Sequence, residues 1–500
     1  MRFTELLARA DVKVVTVRGD AEVTSVASDS RRCGRGCCFV AVRGWTDDGH
    51  KYIPPAVAGG ASAVVCEDAA SVPAETPCAV VTDTRDAVGR LAQALHGWPA
   101  RRLVTLGVTG TNGKSTTTHL IRAILGSAGY SPALLGTITY ETGRRSVDAT
   151  TTTPDPIVLA DMCAEMVAAG RTHLVMEVSS HALHQGRTAG LEFRVGVFTN
   201  LTGDHLDYHL KMENYLAAKR RLFEQLSPEA DAVINRDRPA GKAAGDLDVD
   251  AGEEMAKATK ARILWYGLSS LADLRGRIDR IDASGTRFDM IRGREAVCVS
   301  TPLIGRHNVY NCLAAAGACQ AIGIDLPTIA RSIATVNHVP GRLERVPSEA
   351  PFQVFVDYAH TDDALANVLS ALRPVTRGRI IVVFGCGGDR DRTKRPRMAR
   401  VVQEMADRIV VTSDNPRSEK PEAIIGEIVA GLSEDGRRRS EVQADRRAAI
   451  RLAIEQAREG DVVLIAGKGH ERYQIVANQR HHFDDVEVAA ELLGRWGAPG

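Results

Sequence analysis

Net charge is nearly absent from this chain. Its 500 residues carry 63 Lys and Arg against 62 Asp and Glu, a formal +1. No global basic field therefore argues for nucleic acid or an anionic membrane. Arginine-rich spots such as Arg437-Arg438-Arg439 read as solvated surface. Long hydrophobic runs are missing too. None approaches the ~18 residues that span a bilayer, and Met1-Arg2-Phe3-Thr4-Glu5 lacks a signal peptide's apolar stretch. The ten cysteines form no Cys-x-x-Cys pair or disulfide framework. Cys33, Cys37 and Cys38 cluster, but no matching Cys/His group completes a zinc site. Internal repeats and low-complexity segments are absent as well. A cytoplasmic protein with reduced thiols, acting on small molecules without membrane insertion, is expected.

Five hundred residues exceed one ordinary core, so several domains are expected. Residues 1–98 hold short apolar strands (Cys38 to Val42, Ala63 to Cys66, Ala79 to Thr82) and a helical pattern from Asp86 to His96. Trp98-Pro99-Ala100-Arg101-Arg102 reads as a linker. From 103 onward, strand-like runs at His173 to Val178, Val195 to Thr199 and Ala232 to Asn235 alternate with helix-length segments. That is the βαβ rhythm of a parallel sheet. A second rhythm follows Val339-Pro340-Gly341, with runs Val354 to Val356, Ile380 to Phe384, Ile409 to Thr412 and Val462 to Ile465. The expectation is three α/β domains, at 1–99, 100–338 and 339–500.

The most informative stretch is Gly107-Val108-Thr109-Gly110-Thr111-Asn112-Gly113-Lys114-Ser115-Thr116-Thr117. An apolar run, Leu103 to Val108, precedes it, and a helical pattern, Thr116 to Leu125, follows. A strand, a Gly-rich turn and a helix opening at Lys-Ser make an anion cradle: backbone N–H groups point inward, Lys114 reaches the outer phosphates, and a hydroxyl can ligate Mg²⁺. An ordinary P-loop has glycine where Val108 stands, so this is a tighter variant. ATP is the expected nucleotide.

Polar motifs close the strands. Glu177-Val178-Ser179-Ser180-His181 and Asn200-Leu201-Thr202-Gly203-Asp204-His205 end two. Asp357-Tyr358-Ala359-His360, Gly385 to Arg390, Asp414-Asn415-Pro416-Arg417 and Gly467-Lys468-Gly469-His470-Glu471 end four more. Open α/β sheets bind ligands at that edge, so two successive domains imply a cleft between them. A carboxylate such as Glu177 at a buried strand end is costly unless paired or bound to a metal. Glu177 and His205 are read as metal ligands beside the phosphates; for Asp207 and His209 a structural role is equally weighted.

Together, Thr-Gly-Thr-Asn-Gly-Lys-Ser-Thr, Glu-Val-Ser-Ser-His, Asn-Leu-Thr-Gly-Asp-His-Leu-Asp-Tyr-His and Asp-Tyr-Ala-His resemble the Mur ligases of peptidoglycan synthesis, in order and over essentially the whole chain. The resemblance implies an N-terminal UDP-binding domain, a central P-loop ATPase domain with a parallel sheet, and a C-terminal Rossmann-like domain. It implies a reaction in which ATP phosphorylates a peptide carboxylate and an incoming amine then displaces phosphate. By this resemblance Gly110, Thr111, Asn112, Gly113, Lys114, Ser115 and Thr116 hold the phosphates, and Ser115 and Glu177 share one Mg²⁺. Asn308 and Asn311 match adenine contacts, and Arg342 and Asp357 match phosphate and ribose contacts. Lys219 matches a lysine that is N-carbamylated in the family, placing a second Mg²⁺ with His205; read alone, it looks like a surface helix lysine. Lys114, Glu177, Lys219 and His205 make up the implied catalytic set. Ser28, Ser30, Trp45, Thr46 and Asp47 occupy uridine-diphosphate positions, with Ser28 replacing the usual aliphatic residue. Thr151, Thr152, Thr153, Ser179, Gln185 and Arg187 match the muramoyl-dipeptide contacts.

The members most resembled add the third residue of the stem peptide, either meso-diaminopimelate or L-lysine. Asp414-Asn415-Pro416-Arg417 is associated with diaminopimelate; Arg417 and Arg390 would clamp carboxylates, with Gly467 and Glu471 at the substrate's distal end. Diaminopimelate is therefore expected, with UDP-MurNAc-L-Ala-D-Glu and ATP as the other substrates and a monomer as the working unit. Lysine addition, a folylpolyglutamate synthetase, or a nucleotide-dependent hydrolase without an acceptor are the alternatives.

Overall fold

Buried strands set the architecture. The computed structural model describes residues 1–44, 47–237 and 249–494. Within these residues lie a five-stranded, an eleven-stranded and a six-stranded sheet, and a two-stranded ribbon.

The eleven-stranded sheet is built around Val104–Thr109, which pairs in parallel with His173–Glu177 on one side and Phe193–Phe198 on the other. Strands covered on both faces read as continuous apolar runs, which is why they are visible in the sequence. Lys114–Ser127 and Arg306–Gln320 cover one face through Leu120, Ile124, Val309 and Leu313. Pro156–Ala168 and Met212–Glu224 cover the other through Leu159, Met166, Leu216 and Phe223.

The parallel core matches expectation, but the sheet extends antiparallel at both edges. Leu274–Asp282, Gly285–Arg292 and Glu295–Thr301 form a meander on one side; Pro132–Leu135, Thr139–Glu141 and Ser146–Asp148 form another. Their charged residues alternate with buried ones: Phe288, Met290 and Val299 point inward while the opposite face is solvated.

In the N-terminal sheet four strands, Ser25–Ala27, Cys37–Val40, Ala63–Cys66 and Cys78–Val81, run parallel, and Val14–Arg18 closes the edge antiparallel. The segment after it is not a free linker. Pro99–Arg102 forms a 3₁₀ turn with Pro99 and Ala100 buried. Trp98 Nε1 donates to Arg9 O at 2.9 Å, and the Arg101 guanidinium lies 3.9 Å over the Trp98 ring. Cation–π stacking and an indole hydrogen bond thus fix what composition suggested was loose.

The C-terminal sheet runs Glu344–Val346, Gln353–Asp357, Val462–Ala466, Ile380–Phe384, Arg408–Val411, Ser440–Val442, parallel except for the first pair. The chain passes over Val462–Ala466 between its second and third strands in sequence, making a switch point where ligands are commonly held.

Candidate active site

The turn between Val104–Thr109 and Lys114–Ser127 needs its glycines. Gly110 has φ 151°, and a β-carbon there would fall 1.8 Å from Thr199 Oγ1. Gly113 has φ 87° and packs on Asn311, whose Oδ1 would lie 2.4 Å from an added β-carbon. Thr199 and Asn200 staple the loop from the neighbouring strand: Asn112 N donates to Asn200 Oδ1 at 2.9 Å. The Thr111 hydroxyl lies 3.1 Å from Tyr215 Oη. Lys114 Nζ donates back to the carbonyls of Gly110 (2.9 Å) and Thr111 (2.7 Å). Burial lowers its pKa below the ordinary ammonium value, against the pull of Glu177 and Asp204. Ser115 and Thr116 are buried at the helix start.

From the C-terminal unit, Arg342 Nη2 donates to Ser115 Oγ at 2.9 Å. Its guanidinium lies 4.7 Å over the Tyr358 ring, and its buried Nε has no partner among the described residues. A helix N-terminus, a lysine bonded to its own loop and an unsatisfied guanidinium N–H converge here. This set fits a polyphosphate.

Glu177 ends its strand almost wholly buried, and its carboxylate accepts from Thr137 N (2.8 Å) and Thr137 Oγ1 (2.9 Å). Thr153 Oγ1 donates to Glu177 O at 2.9 Å and accepts from Ser179 N at 3.1 Å. Arg187 Nη1 donates to Thr153 O at 3.0 Å and its Nε to Gln185 Oε1 at 2.9 Å. Thr137 Oγ1 also reaches Thr152 Oγ1 at 3.1 Å, and Thr151 Oγ1 donates to Thr153 O at 3.0 Å. The threonine run, Ser179, Gln185 and Arg187 therefore form one network with Glu177.

His205 is left-handed (φ 56°), with Nε2 3.4 Å from Asp204 Oδ2 and its ring 4.8 Å from that of His181. Burial pushes the His205 pKa down to about 3 despite Asp204. Burial opposes ionisation of Asp204, yet His205, His360 and Lys394 hold it to about 2. His209 has a structural partner, Ser180 Oγ at 3.0 Å. Lys219 is 1% exposed, no surface lysine, and its Nζ lies 4.2 Å over the Tyr215 ring. Burial, reinforced by Lys114, holds its pKa well below the usual value. Among the described residues no group of three or more His, Cys, Asp or Glu side chains is arranged to hold a metal ion by itself. Ser115, Glu177, His205 and a modified Lys219 would therefore need phosphate and carbamate oxygens to complete Mg²⁺ coordination.

Three residues matched to the nucleotide have other partners. Asn308 Nδ2 donates to Ile304 O at 2.9 Å and its Oδ1 accepts from Asn311 Nδ2 at 3.0 Å, so this buried pair braces the loop at Gly113. Asp357 accepts from Leu343 N (2.6 Å) and Ala359 N (2.7 Å), fixing the turn that presents Arg342; burial pushes its pKa up to about 6.

In the N-terminal unit, Ser28 follows the strand Ser25–Ala27 and Ser30 opens a 3₁₀ turn capped by Asp29. Asp47 Oδ2 accepts from Tyr52 Oη at 2.7 Å. Trp45 and Thr46 lie outside the described residues. Arg85 links this loop to the central unit: its Nε donates to Arg43 O at 2.7 Å, and its side chain abuts Gly186.

At the C-terminal sheet edge, Asp414 and Asn415 are buried. Asn415 Nδ2 donates to Glu471 Oε2 at 2.7 Å, and its Oδ1 accepts from Ile475 N at 2.9 Å. Gly467 (φ 115°) leaves room for Asp414, whose Oδ2 would sit 2.5 Å from a β-carbon. Burial and the Asp414 charge raise the Glu471 pKa. Arg417 is left-handed (φ 54°) and follows Pro416; its Nη1 donates to Gly388 O at 2.7 Å. Arg390 is exposed, and its Cγ would lie 3.9 Å from a β-carbon on Gly387, from which Arg417 Nη1 would be 2.9 Å away.

Lys468, in the turn Gly467-Lys468-Gly469, adds to this site. It is fully buried, with Nζ 3.5 Å from Glu471 Oε2 and 3.3 Å from Asn415 Oδ1. A lysine between glycines at a strand end was the available signal. Thr137 and Asp363 gave none, because their roles arise only from contacts distant in sequence.

Family models match in chain order: "Mur ligase family, catalytic domain" over residues 22–96, "Mur ligase middle domain" over 108–319 and "Mur ligase, glutamate ligase domain" over 341–469. The chain is 45% identical over 503 residues to the UDP-N-acetylmuramoyl-L-alanyl-D-glutamate–2,6-diaminopimelate ligase of Geobacillus kaustophilus, covering 99% of this chain and 100% of that one. A solved structure of a ligase with that name is 34% identical, with a TM-score of 0.66 over 94% of this chain and 95% of its own. A Thermotoga maritima MurF ligase in complex with ADP, 17% identical, shares the fold with a TM-score of 0.61, over 95% of this chain and 97% of its own.

Proposed function

Because the chain belongs to the Mur ligase family, we propose that it joins UDP-N-acetylmuramoyl-L-alanyl-D-glutamate to meso-diaminopimelate, through an acyl phosphate formed with ATP. The observation that carries this reading is the Arg342–Ser115 hydrogen bond, 2.9 Å, which brings the C-terminal strand ends against the phosphate loop of the central unit. An amine held by one sheet can thereby meet a carboxylate activated at the other.

In this reading residues 1–99 take the uridine end through Ser28, Ser30 and the Trp45–Asp47 segment. Residues 100–338 hold ATP and the dipeptide, and residues 339–500 hold the amino acid. Lys114 leaves its loop carbonyls to neutralise phosphate charge as it develops, and Arg342 turns its unpartnered N–H to the same oxygens. Asn308 and Asn311 set the adenine end of the loop. Arg187, braced by Gln185, faces the dipeptide carboxylates. Bound Mg²⁺, held by Ser115 and Glu177 and by His205 with carbamylated Lys219, would supply Lewis acidity at the phosphoryl oxygens. Asp414 and Glu471 receive the distal amine, and Arg417 with Arg390 the distal carboxylate.

ADP release tests the reading. It should require the UDP-dipeptide and an amine acceptor, with diaminopimelate far better than lysine. Release unaffected by any amine would indicate a hydrolase, and preference for lysine would transfer the chain to the other branch of its subfamily.

A further inference from the structure

Two loops of the C-terminal sheet edge hold each other in conformations neither would adopt alone. Asp389 (φ 54°) and Arg417 (φ 54°) are both left-handed without being glycine, a conformation uncommon for such residues, above all for a long side chain such as arginine, and one that surrounding contacts must support. Each loop supplies those contacts to the other. Ser418 Oγ donates to Asp389 Oδ1 at 2.7 Å and Ser418 N to Asp389 Oδ2 at 3.2 Å. Asp389 N donates to Glu419 Oε1 at 2.6 Å, while Arg417 Nη1 returns to Gly388 O at 2.7 Å. The fit is close: a β-carbon on Gly388 would fall 2.0 Å from Pro416 O.

Glu419 ties this interlock to the core. Its carboxylate takes both ends of the Arg395 guanidinium, Nη2 at 2.7 Å and Nη1 at 3.0 Å. Arg395 is fully buried and also donates to Glu427 Oε2 at 2.8 Å and Gly387 O at 3.3 Å. A buried guanidinium with bidentate partners has little freedom.

Resting on the ligase reading above, we propose that Glu419 and Asp389 are positioning residues: they fix the spacing of Arg390 and Arg417, and so set recognition of the carboxylate at the far end of the incoming diamino acid. Neither touches the substrate. Their effect passes through the arginines.

A double-mutant cycle on the full-length enzyme separates this from general loosening. Glu419→Gln keeps size but replaces the carboxylate facing Arg395 with an amide. It should raise the KM for diaminopimelate roughly tenfold while leaving the KM for ATP and for the UDP-dipeptide in place. Combined with Arg417→Ala, it should add no more than about twofold to the loss from Arg417→Ala alone, since both act on one interaction. Multiplicative losses, equal shifts in all three KM values, or an unchanged KM for diaminopimelate would each overturn the proposal. Ser418→Ala, which removes one exposed donor, provides the same reading if Glu419→Gln fails to fold. It should raise the same KM about two- to threefold, and an unchanged value would overturn the proposal. Failure of the unsubstituted enzyme to use diaminopimelate would overturn the underlying diaminopimelate assignment, a result distinct from any behaviour of the variants.

Discussion

The Asp363 carboxylate accepts a hydrogen bond from the Asn112 side chain at 2.7 Å, joining the C-terminal unit to the nucleotide loop. The same oxygen accepts from Thr202 Oγ1 at 2.9 Å and Asn367 Nδ2 at 3.2 Å. Burial, with the nearby Asp362 and Asp204 charges, raises the Asp363 pKa, partly offset by the Thr202 and Asn112 donors. Asp363→Ala leaves the Asn112 amide without this acceptor at the boundary between the units. The expected result is a roughly tenfold loss in kcat/KM with little change in melting temperature, because the contact joins units rather than holding either core. Unchanged kinetics would show that the approach of the two units does not depend on this contact.

Lys219 should react with CO₂. Its burial and depressed pKa favour the neutral amine, the form that becomes a carbamate. Enzyme freed of CO₂ should lose most activity and recover it with bicarbonate, while Lys219→Ala should be nearly inactive under both conditions. Intact mass showing an unmodified amine in fully active, bicarbonate-supplied enzyme would contradict this.

Arg417 should govern the amino acid. Its Nη1 is committed to Gly388 O, so the rest of the fork is oriented before substrate arrives. Arg417→Ala should weaken diaminopimelate ligation by roughly 10² or more, mainly through KM, because a desolvated carboxylate is left unpaired. It should not become a good lysine ligase. Efficient lysine addition by this variant would show that the arginine acts only by exclusion.

Acid should act through Asp461. Burial raises its pKa, but bonds from Arg379 (2.7 Å from Nη2) and from the Arg379 and Arg458 backbone N–H groups outweigh burial and leave it lowered. A carboxyl with a lower pKa folded than unfolded contributes stability above its unfolded value near 3.8, and that stability is lost as pH falls through the folded value. Asp461→Asn should therefore cost about 1–3 kcal/mol at neutral pH, and the deficit should shrink below about pH 4. A pH-independent deficit in denaturant titrations would rule the charge out.

Doubly covered parallel strands were legible because burial on both faces leaves uninterrupted apolar runs, as in Ile380–Phe384. The residues at their ends were legible for the same reason: a carboxylate like Glu177 or a Gly-Lys-Ser turn is conspicuous after such a run. The meander Leu274–Thr301 escaped notice because its signal is alternation diluted by arginine and aspartate. The burial of Lys219 was also invisible, since Met212–Glu224 is amphipathic and the lysine's side is decided by Tyr215 and the phosphate loop. Asn308 and Asn311 carried an adenine assignment from motif matching, whereas their mutual hydrogen bond depends on folded geometry.

The turn at Pro99–Arg102 bears on the length of the UDP-linked peptide. Besides the Trp98–Arg101 stack, Arg101 Nε pairs with Glu192 at 2.9 Å and His96 Nε2 with Asp161 at 2.8 Å. The backbone of Gly89 lies so near Ala189 that a β-carbon would sit 2.3 Å from its carbonyl oxygen. The N-terminal unit is thus clamped to the central one, which on the ligase reading fixes the span between Ser28 and Ser30, proposed for the uridine end, and Arg187. On that reading the molecule works as a caliper. One residue more or less between sugar and carboxylate displaces the reacting group by ~3.5 Å, and errors of about 1 Å already cost ~10²-fold in rate. On that reading, peptides of the wrong length should be rejected before any side chain is read.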